Sequence, residues 1–188
     1  MRVLAIPGSL RNDSYNAKLL YNSVELFPAD VVLDLWAGLK SVPPYDEDDD
    51  GVDAPAAVVE LRDAIARADA VLIATPEYNH SIPGQLKNAF DWVSRPVATN
   101  PMRNKPVAVI GASTSAFGGV WSQAELRKVL GALGARVLDV ELAVPHAHER
   151  FDQFGRLTDG NFMEQLTAVV DTLLLAVAER EARIELTA

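Results

Sequence analysis

A group of polar side chains lies between a buried apolar run and a helical pattern in the middle of the chain. Residues 70–74 show no polar alternation, which is typical of a parallel strand covered on both faces by helices. Pro76 cannot donate to a sheet ladder, so the strand should end before it, and Pro83 suits the first turn of the next helix. The side chains between the two prolines are those of Glu77, Tyr78, Asn79, His80 and Ser81. Because ligands of open parallel sheets bind at the carboxyl ends of the strands, this loop is a candidate ligand site.

The loop after the first predicted strand carries side chains that could hold a phosphate group. From Gly8 to Asn16 it has the sequence Gly-Ser-Leu-Arg-Asn-Asp-Ser-Tyr-Asn, and a predicted helix begins at its end. A helix N-terminus offers N–H groups and the positive end of a dipole, which together suit a phosphate. Ser9 and Ser14 add hydroxyl donors, Arg11 adds a full positive charge, and the last residue adds an amide. A helix-capping loop with Ser14 as the N-cap explains the same residue types equally well.

The better-known phosphate, hydrolase and metal motifs are missing from the sequence. No Gly-x-Gly-x-x-Gly follows the first predicted strand and no Gly-Lys-Ser/Thr occurs, which disfavours a Rossmann dinucleotide domain and a P-loop nucleotidase. Ser113 follows a predicted strand, but the Gly-x-Ser-x-Gly pattern of a nucleophile elbow is absent because position 115 is serine. His146 and His148 stand at alternate positions in a chain without cysteine, which is a weak pattern for a metal site. No bound metal is therefore expected.

Hydrophobic periodicity predicts the elements that must position these loops. Strands are predicted over residues 2–6, 31–35, 70–74, 107–110 and 136–142. Helices are predicted over residues 15–27, 55–68, 83–94, 161–183 and through 126–133. The alternation of strands and helices predicts an α/β fold with a parallel, doubly wound sheet. The strand 136–142 alternates apolar and polar residues, so we expect it at a sheet edge. Residues 1–188 should form one domain.

Two of the loops carry the resemblance to a known family. The stretch from Ile73 to Trp92 resembles the Pro-Glu-Tyr-Asn loop of the NAD(P)H-dependent FMN reductases, a flavodoxin-like family that includes quinone, chromate and azo-dye reductases. The spacing Gly-Ser-Leu-Arg-x-x-Ser-x-Asn is similar to the FMN-phosphate loop of the same family. The resemblance implies a flavodoxin-like three-layer fold with a five-stranded parallel sheet in the order 2-1-3-4-5.

The resemblance also implies a cofactor and its binding residues. FMN would be bound by the first loop, by the Pro76 loop along the ring, and by the small residues of loop 111–119 on the other side of the flavin. Paired glycines in that third loop suit the close approach of backbone to a flat ligand. The implied FMN-binding residues are Ser9, Arg11, Ser14, Tyr15, Asn16, Pro76, Glu77, Tyr78, Asn79, Ser113, Thr114 and Gly118.

The activity implied by the resemblance is electron transfer from NADH or NADPH, through FMN, to a small-molecule acceptor. Quinones, free flavin, azo dyes and metal oxyanions are all acceptors of this kind. No residue is singled out as catalytic, because the cofactor supplies the hydride chemistry. His80 could flank the substrate pocket, although a lone loop histidine is also typical of an ordinary surface position. Two alternatives are a flavodoxin-type electron carrier and a flavin-binding module without turnover.

Charge and composition narrow the partners and the compartment. Seventeen basic and 26 acidic residues give a net charge of −9, which argues against nucleic acid or a membrane surface as a partner. The absence of cysteine excludes disulfides, thiolate nucleophiles and iron–sulfur clusters. The apolar run 173–178 is far shorter than the roughly 18 residues of a membrane span, so a cytoplasmic protein is expected. Six carboxylates in residues 46–53 indicate a solvated loop.

Trp92 suggests a homo-oligomer. The helix after Pro83 carries one apolar stripe made of Leu86, Ala89, Phe90 and Val93. Trp92 lies roughly 100° away from that stripe, and tryptophan is enriched in interface cores. A homodimer or homotetramer with this helix at the interface is therefore predicted. In such an assembly Glu77 could pair with an arginine of the neighbouring subunit instead of facing a flavin.

Overall fold

The computed structural model describes residues 1–51 and 53–185. Its strands are β1 (Arg2–Pro7), β2 (Val32–Leu35), β3 (Ala70–Ala74), β4 (Pro106–Ala112), β5 (Arg136–Val137) and β6 (Ala143–Val144). Its α-helices are α1 (Tyr15–Ser23), α2 (Ala56–Arg67), α3 (Gly84–Val93), α4 (Val120–Ala132), α5 (Ala147–Arg150) and α6 (Gly160–Glu185). The five long helices were predicted, whereas the single turn α5 was not.

The sheet is parallel and runs in the order β2-β1-β3-β4-β5, and β6 pairs with the far end of β4. The predicted flavodoxin-like fold class and strand order are therefore confirmed. Because the strands are parallel, the carboxyl ends of β1, β3 and β4 lie side by side in the middle of the sheet. The three loops predicted to bind a ligand leave the sheet at these ends.

Helices cover both faces of the sheet, which explains why the central strands lack polar alternation. Val3 and Leu72 belong to the core on the side of α1 and α6. Leu4 and Ile73, one residue further along each strand, belong to the core on the side of α2, α3 and α4. Successive side chains of a strand point to opposite faces, so each central strand contributes to both layers.

The last predicted strand is interrupted, and the prediction of one strand over 136–142 is wrong. β5 pairs with the start of β4 and β6 pairs with its end, with no strand between them. Arg127 of α4 occupies this gap: its guanidinium donates to Val109 O at 3.2 Å and to Val140 O at 2.5 Å. Leu138 N still donates to Val107 O and Leu142 O still accepts from Gly111 N, both at 2.9 Å, so the side chain replaces the ladder only between these two residues. The predicted edge position of this segment is confirmed.

Trp92 is covered by its own chain, so the prediction that it marks a subunit interface is wrong. The side chain is fully buried, at 0% exposure. Its indole Nε1 donates to Pro43 O at 2.9 Å, and the ring of Tyr45 packs edge-on against it with centroids 4.9 Å apart. The long segment after β2, which has no hydrophobic periodicity, therefore supplies the cover that we expected from a second subunit.

The acidic loop is also less solvated than predicted. Asp50 is 8% exposed, and its Oδ1 accepts a hydrogen bond of 2.9 Å from Nη2 of Arg62, which is 17% exposed. The same guanidinium donates to Trp92 O, at 3.2 Å from Nε and at 2.6 Å from Nη2. Arg62 therefore joins the acidic loop to α2 and to the last turn of α3, whereas the other five carboxylates are exposed.

Helix α6 is the one helix of the described chain that is long and apolar enough, by length and composition, to cross a membrane. The sequence interpretation, which considered only the short run 173–178, overlooked this. One side of the helix packs against the sheet, with Leu166, Val169 and Leu173 buried in the core. The apolar composition of α6 thus has a partner within the fold.

Lys105, which lies at the amino end of the sheet away from the candidate site, should make stability depend on pH. The residue is 4% exposed, and its ammonium donates to Ala68 O, just beyond α2, and to Ala66 O at 3.4 Å. Burial, followed by the nearby charge of Arg180, lowers the pKa of Lys105 from its ordinary value of 10.5 to about 8.

Between these two pKa values the unfolded chain binds more protons at Lys105 than the folded chain does, so folding becomes more favourable as the pH rises. Urea unfolding at pH 7, 8, 9 and 10 should show wild type gaining stability relative to Lys105→Met above a pH of about 8. A difference that stays constant over this range would contradict the assignment. The comparison with the variant cancels titrations elsewhere in the chain.

Candidate functional site

A pocket opens where the loops after β1, β3 and β4 meet. Ten of the twelve residues predicted to bind the cofactor line it, and the other two, Asn79 and Gly118, do not. The lining residues are Ser9, Arg11, Ser14, Tyr15, Asn16, Pro76, Glu77, Tyr78, Ala112, Ser113 and Thr114. Ala112 was not predicted, because an alanine at the end of a strand gives no chemical signal. The sequence therefore located all three walls of the pocket.

The first loop is held against the end of β3. The N–H of Gly8 donates to Ala74 O at 2.8 Å. A Cβ on Gly8 would lie only 2.9 Å from Leu86 Cδ2 and 3.1 Å from Ala74 O, so this close approach requires glycine. Ser14 is the N-cap of α1, and its Oγ accepts from Ala17 N at 3.3 Å. The hydroxyl proton of Ser14 remains available to donate towards the pocket, so its capping role and a ligand role are compatible.

The side-chain amide of Asn16 bonds to backbone at the edge of the pocket and is not free to bind a ligand. Its Nδ2 donates to Ala112 O and its Oδ1 accepts from Ala112 N, both at 2.9 Å. These two bonds tie the first turn of α1 to the end of β4. The amide predicted to face a phosphate is thus largely occupied by backbone.

The electrostatics of the first loop favour an anion. Arg11 is exposed at the pocket edge and contributes a full positive charge. Asp13 would oppose an anion there, but it forms an ion pair with Lys18. The hydrogen bond from the Lys18 ammonium, reinforced by its charge, holds the pKa of the Asp13 carboxyl below its ordinary value. The acidic side chain of this loop is therefore already paired.

Glu77 caps a helix, a role that neither sequence interpretation gave it. Its Oε2 accepts from Trp121 N at 3.0 Å and from Ser122 N at 3.1 Å, in the first turn of α4. The N-cap residue of that helix is Gly119, which has no side chain to accept these bonds. Glu77, 44 residues earlier, performs this function with a full negative charge at the positive end of the helix dipole. The glycine before α4 was the signal that could have suggested an external cap.

The Pro76 loop turns back on itself at Asn79 and His80. Tyr78 and Ser81 exchange two backbone hydrogen bonds, at 3.0 and 3.1 Å. The two residues between them have positive φ, 54° and 61°, as in the type I′ turns of hairpins. Asn79 therefore shapes the loop instead of lining the pocket. His80 projects from the turn with its side chain 75% exposed.

The third loop approaches the pocket through Ser113 and Thr114, not through Gly118. Gly118 is buried with φ 62°, and a Cβ on it would lie 2.7 Å from the carbonyl carbon of Ala143 and 2.8 Å from Val144 N. This glycine permits close packing against β6 and does not line the pocket, and its contact with a flavin stays a prediction. Ser113 Oγ accepts from Ser115 N at 3.1 Å and so stiffens the pocket edge.

The paired histidines lie outside the pocket. His146 has φ 47° and precedes α5, and its ring centroid lies 6.3 Å from that of His148. Within residues 1–51 and 53–185 no three His, Asp or Glu side chains come together as metal ligands.

The donor set of the pocket fits FMN. Hydroxyls of Ser9 and Ser14, the guanidinium of Arg11 and the N-terminus of α1 gather at one end, which suits a phosphate. The Pro76 loop and the Ser113 loop bound the rest of the pocket with backbone and small side chains, which suits a flat ring. The residues that would hold the phosphate and those that would border the ring thus lie on different loops.

Known proteins match this chain over most of its length. The model of the family described as NADPH-dependent FMN reductase matches residues 1–149. An NAD(P)H-dependent FMN reductase of Pseudomonas aeruginosa is 40% identical over 178 residues, which are 94% of this chain and 95% of the relative. A 2-hydroxy-1,4-benzoquinone reductase of Burkholderia sp. is 35% identical over 181 residues, 96% of this chain and 98% of the relative.

A solved structure agrees with these relatives. FerB, a flavoenzyme NAD(P)H:(acceptor) oxidoreductase from Paracoccus denitrificans, superposes with a TM-score of 0.86 at 35% identity, covering 95% of this chain and 97% of that one. The predictions of an oxidoreductase, of FMN as cofactor and of NAD(P)H as co-substrate are confirmed by these matches. Motif, fold and pocket lead to one conclusion: the chain belongs to the NADPH-dependent FMN reductase family.

Proposed function

We propose that this enzyme uses NADH or NADPH to reduce a quinone, with FMN bound in the pocket between the three loops. The observation that carries the proposal is the gathering of the first-loop donors opposite the Pro76 and Ser113 loops in one pocket. The relatives named as FMN reductase and benzoquinone reductase support both the cofactor and the acceptor class. The net reaction is NAD(P)H + H⁺ + quinone → NAD(P)⁺ + quinol, in which two electrons and two protons reach the quinone.

FMN, when bound, supplies the capacity to take a hydride and to release electrons one or two at a time. The protein would bind and orient this group: Arg11, Ser9 and Ser14 would hold the phosphate, and the backbone around Pro76–Tyr78 and Ser113–Thr114 would border the ring. Among the lining residues that the structure describes, Glu77 is the only carboxylate, and its Oε2 is occupied by α4. We therefore expect water at the open pocket to provide the second proton of the quinol.

The two substrates should take turns at this pocket. Initial rates measured with FMN-loaded protein, NADPH and menadione should give parallel double-reciprocal lines, the pattern of a reaction divided into two half-reactions. A flavodoxin-type carrier or a flavin-binding module predicts no steady NADPH oxidation unless a separate reductase is added. Intersecting lines would show that both substrates bind together, which contradicts a single shared pocket.

The cellular form of the enzyme is part of the same proposal. We propose a cytoplasmic, single-domain protein of 188 residues that acts as a homodimer or homotetramer. Because Trp92 is covered within its own chain, an assembly has to use other surfaces. Light scattering at micromolar concentration decides the oligomeric state, since a monomer has a mass of 20.4 kDa.

A further inference from the structure

Three rings contact one another next to the pocket, and we call His80, Phe117 and Trp121 the aromatic wall. The ring of His80 meets that of Trp121 edge-on, with centroids 4.7 Å apart and planes at 90°. Phe117 meets Trp121 at 4.9 Å and 62°. Phe117 is 58% exposed and Trp121 is 41% exposed. A continuous aromatic surface thus faces solvent at the end of the sheet where the pocket opens.

Glu77 links this wall to the pocket. The residue lines the pocket, and its Oε2 accepts from the backbone N–H of Trp121. Its other oxygen, Oε1, lies 3.7 Å from Nδ1 of His80. Only 9% of the Glu77 side chain is exposed, so one nearly buried carboxylate holds the backbone of Trp121 and lies beside the ring of His80.

The backbone of His80 adopts an unfavourable conformation that places its ring against Trp121. A φ of 61° places His80 in the left-handed region, which is unfavourable for L-residues other than glycine and asparagine. Strained backbone of this kind clusters at functional sites. Here the strained turn directs an imidazole ring onto Trp121, where a glycine or asparagine would satisfy the turn without a ring.

We propose that the aromatic wall binds the planar acceptor of the reaction and that Glu77 is a positioning residue that fixes the wall; this inference rests on the function proposed above. Two large exposed rings favour stacking with a flat apolar ligand. The wall contains no lysine or arginine side chain, and its imidazole lies beside the Glu77 carboxylate. The wall therefore selects planar ring acceptors, such as quinones and azo dyes, over metal oxyanions.

Tryptophan fluorescence can measure binding to the wall without turnover. Of the three tryptophans, Trp36 is 5% exposed, Trp92 is fully buried, and Trp121 alone is exposed. Menadione added to the oxidised, FMN-loaded protein without NAD(P)H should quench Trp121 in a saturable manner. The chain has no cysteine for a quinone to arylate, so quenching reports reversible binding. Trp121→Phe should lose the fluorescence quenching but keep the affinity for menadione, which calorimetry measures. Trp121→Ala should weaken menadione binding about tenfold, or 1.4 kcal/mol.

The role of Glu77 is tested with a conservative variant and a matched control. Glu77→Ala should weaken menadione binding to a similar extent and change the near-ultraviolet circular dichroism of Trp121. Glu77→Gln keeps an oxygen that can accept from α4, so it should restore both properties. Asp152→Ala is the control, because Asp152 Oδ1 also accepts two backbone N–H groups, of Phe154 at 2.8 Å and Arg156 at 2.9 Å, away from the wall. It should leave menadione binding unchanged.

Ferricyanide, an octahedral anion that cannot stack, separates failure of this inference from failure of the proposed function. Trp121→Ala should lower kcat/KM for menadione about tenfold and leave kcat/KM for ferricyanide unchanged. Wild-type affinity for menadione in Trp121→Ala would overturn the inference. If wild type is an oligomer and Trp121→Ala is a monomer, the inference also fails, because the wall would then be a subunit contact. A wild-type protein that oxidises NAD(P)H with neither acceptor would instead refute the proposed function.

Discussion

Replacing Arg62 by alanine should lower the free energy of unfolding by about 3–5 kcal/mol, the cost of breaking a buried ion pair on one side. The substitution leaves the Asp50 carboxylate, 8% exposed, without its cation. It also removes the two guanidinium donors to Trp92 O at the end of α3, although the N–H of Arg95 still donates to that oxygen at 3.2 Å. Urea unfolding monitored by circular dichroism measures the change in midpoint and slope. Asp50→Asn should cost less, because the guanidinium keeps its bonds to Trp92 O.

Arg67 provides a matched control on the same helix. Its ion pair with Asp63 spans 3.9 Å, and both side chains are more than 60% exposed, so Arg67→Ala should cost no more than about 0.5 kcal/mol. Equal losses for the two arginines would indicate that general charge or helix propensity, not the buried pair, determines the effect. A loss below about 1 kcal/mol in Arg62→Ala would contradict the interpretation that Asp50 depends on it.

Replacing Arg11 by alanine should weaken FMN binding by about 1.5–3 kcal/mol, the scale of a hydrogen bond to a charged group. Arg11 is the cation among the residues that line the pocket, and it lies beside the N-terminus of α1. Riboflavin has the same ring but no phosphate, so its affinity should change little. Fluorescence titration of the apoprotein with each flavin measures both constants. Equal losses for FMN and riboflavin would refute the assignment of Arg11 to the phosphate.

Lys40 distinguishes direct contact from general attraction. Arg11 and Lys40 both line the groove on the far side of the first loop, but only Arg11 lines the cofactor pocket. Lys40→Ala removes one positive charge from the same end of the sheet, and long-range attraction of this kind is screened by salt. It should therefore leave FMN affinity nearly unchanged at physiological ionic strength. A loss equal to that of Arg11→Ala would show that the effect is not a contact.

The central elements could be predicted because their sequence patterns have one physical cause. Residues 70–74 and 107–110 are apolar without alternation because helices cover both faces of the strand. The break at residues 138–142 could not be predicted in the same way. Leu138 and Leu142 are buried at the two ends of that segment and each makes a backbone hydrogen bond to β4, so its alternation imitates a strand. Between them Arg127, on another element, donates to Val109 O and Val140 O.

The pocket could be predicted where the types of its residues indicate a chemical role. Serines and an arginine at the start of a helix indicate a phosphate, and ten of the twelve predicted residues line the pocket. What could not be predicted are bonds between distant parts of the chain. Glu77 capping α4 and Asn16 bridging to Ala112 each join residues at least 44 positions apart. Trp92 was misjudged for the same reason, because the segment that covers it has no periodicity.

The central claim is that FMN bound in this pocket accepts electrons from a nicotinamide and passes them to a quinone. The most direct test is the visible absorbance spectrum of the purified, FMN-loaded protein under anaerobic conditions. We predict that stoichiometric NADPH or NADH removes the oxidised flavin bands and that menadione added afterwards restores them. Flavin bands that persist after addition of either nicotinamide, with FMN still bound to the protein, would contradict the account.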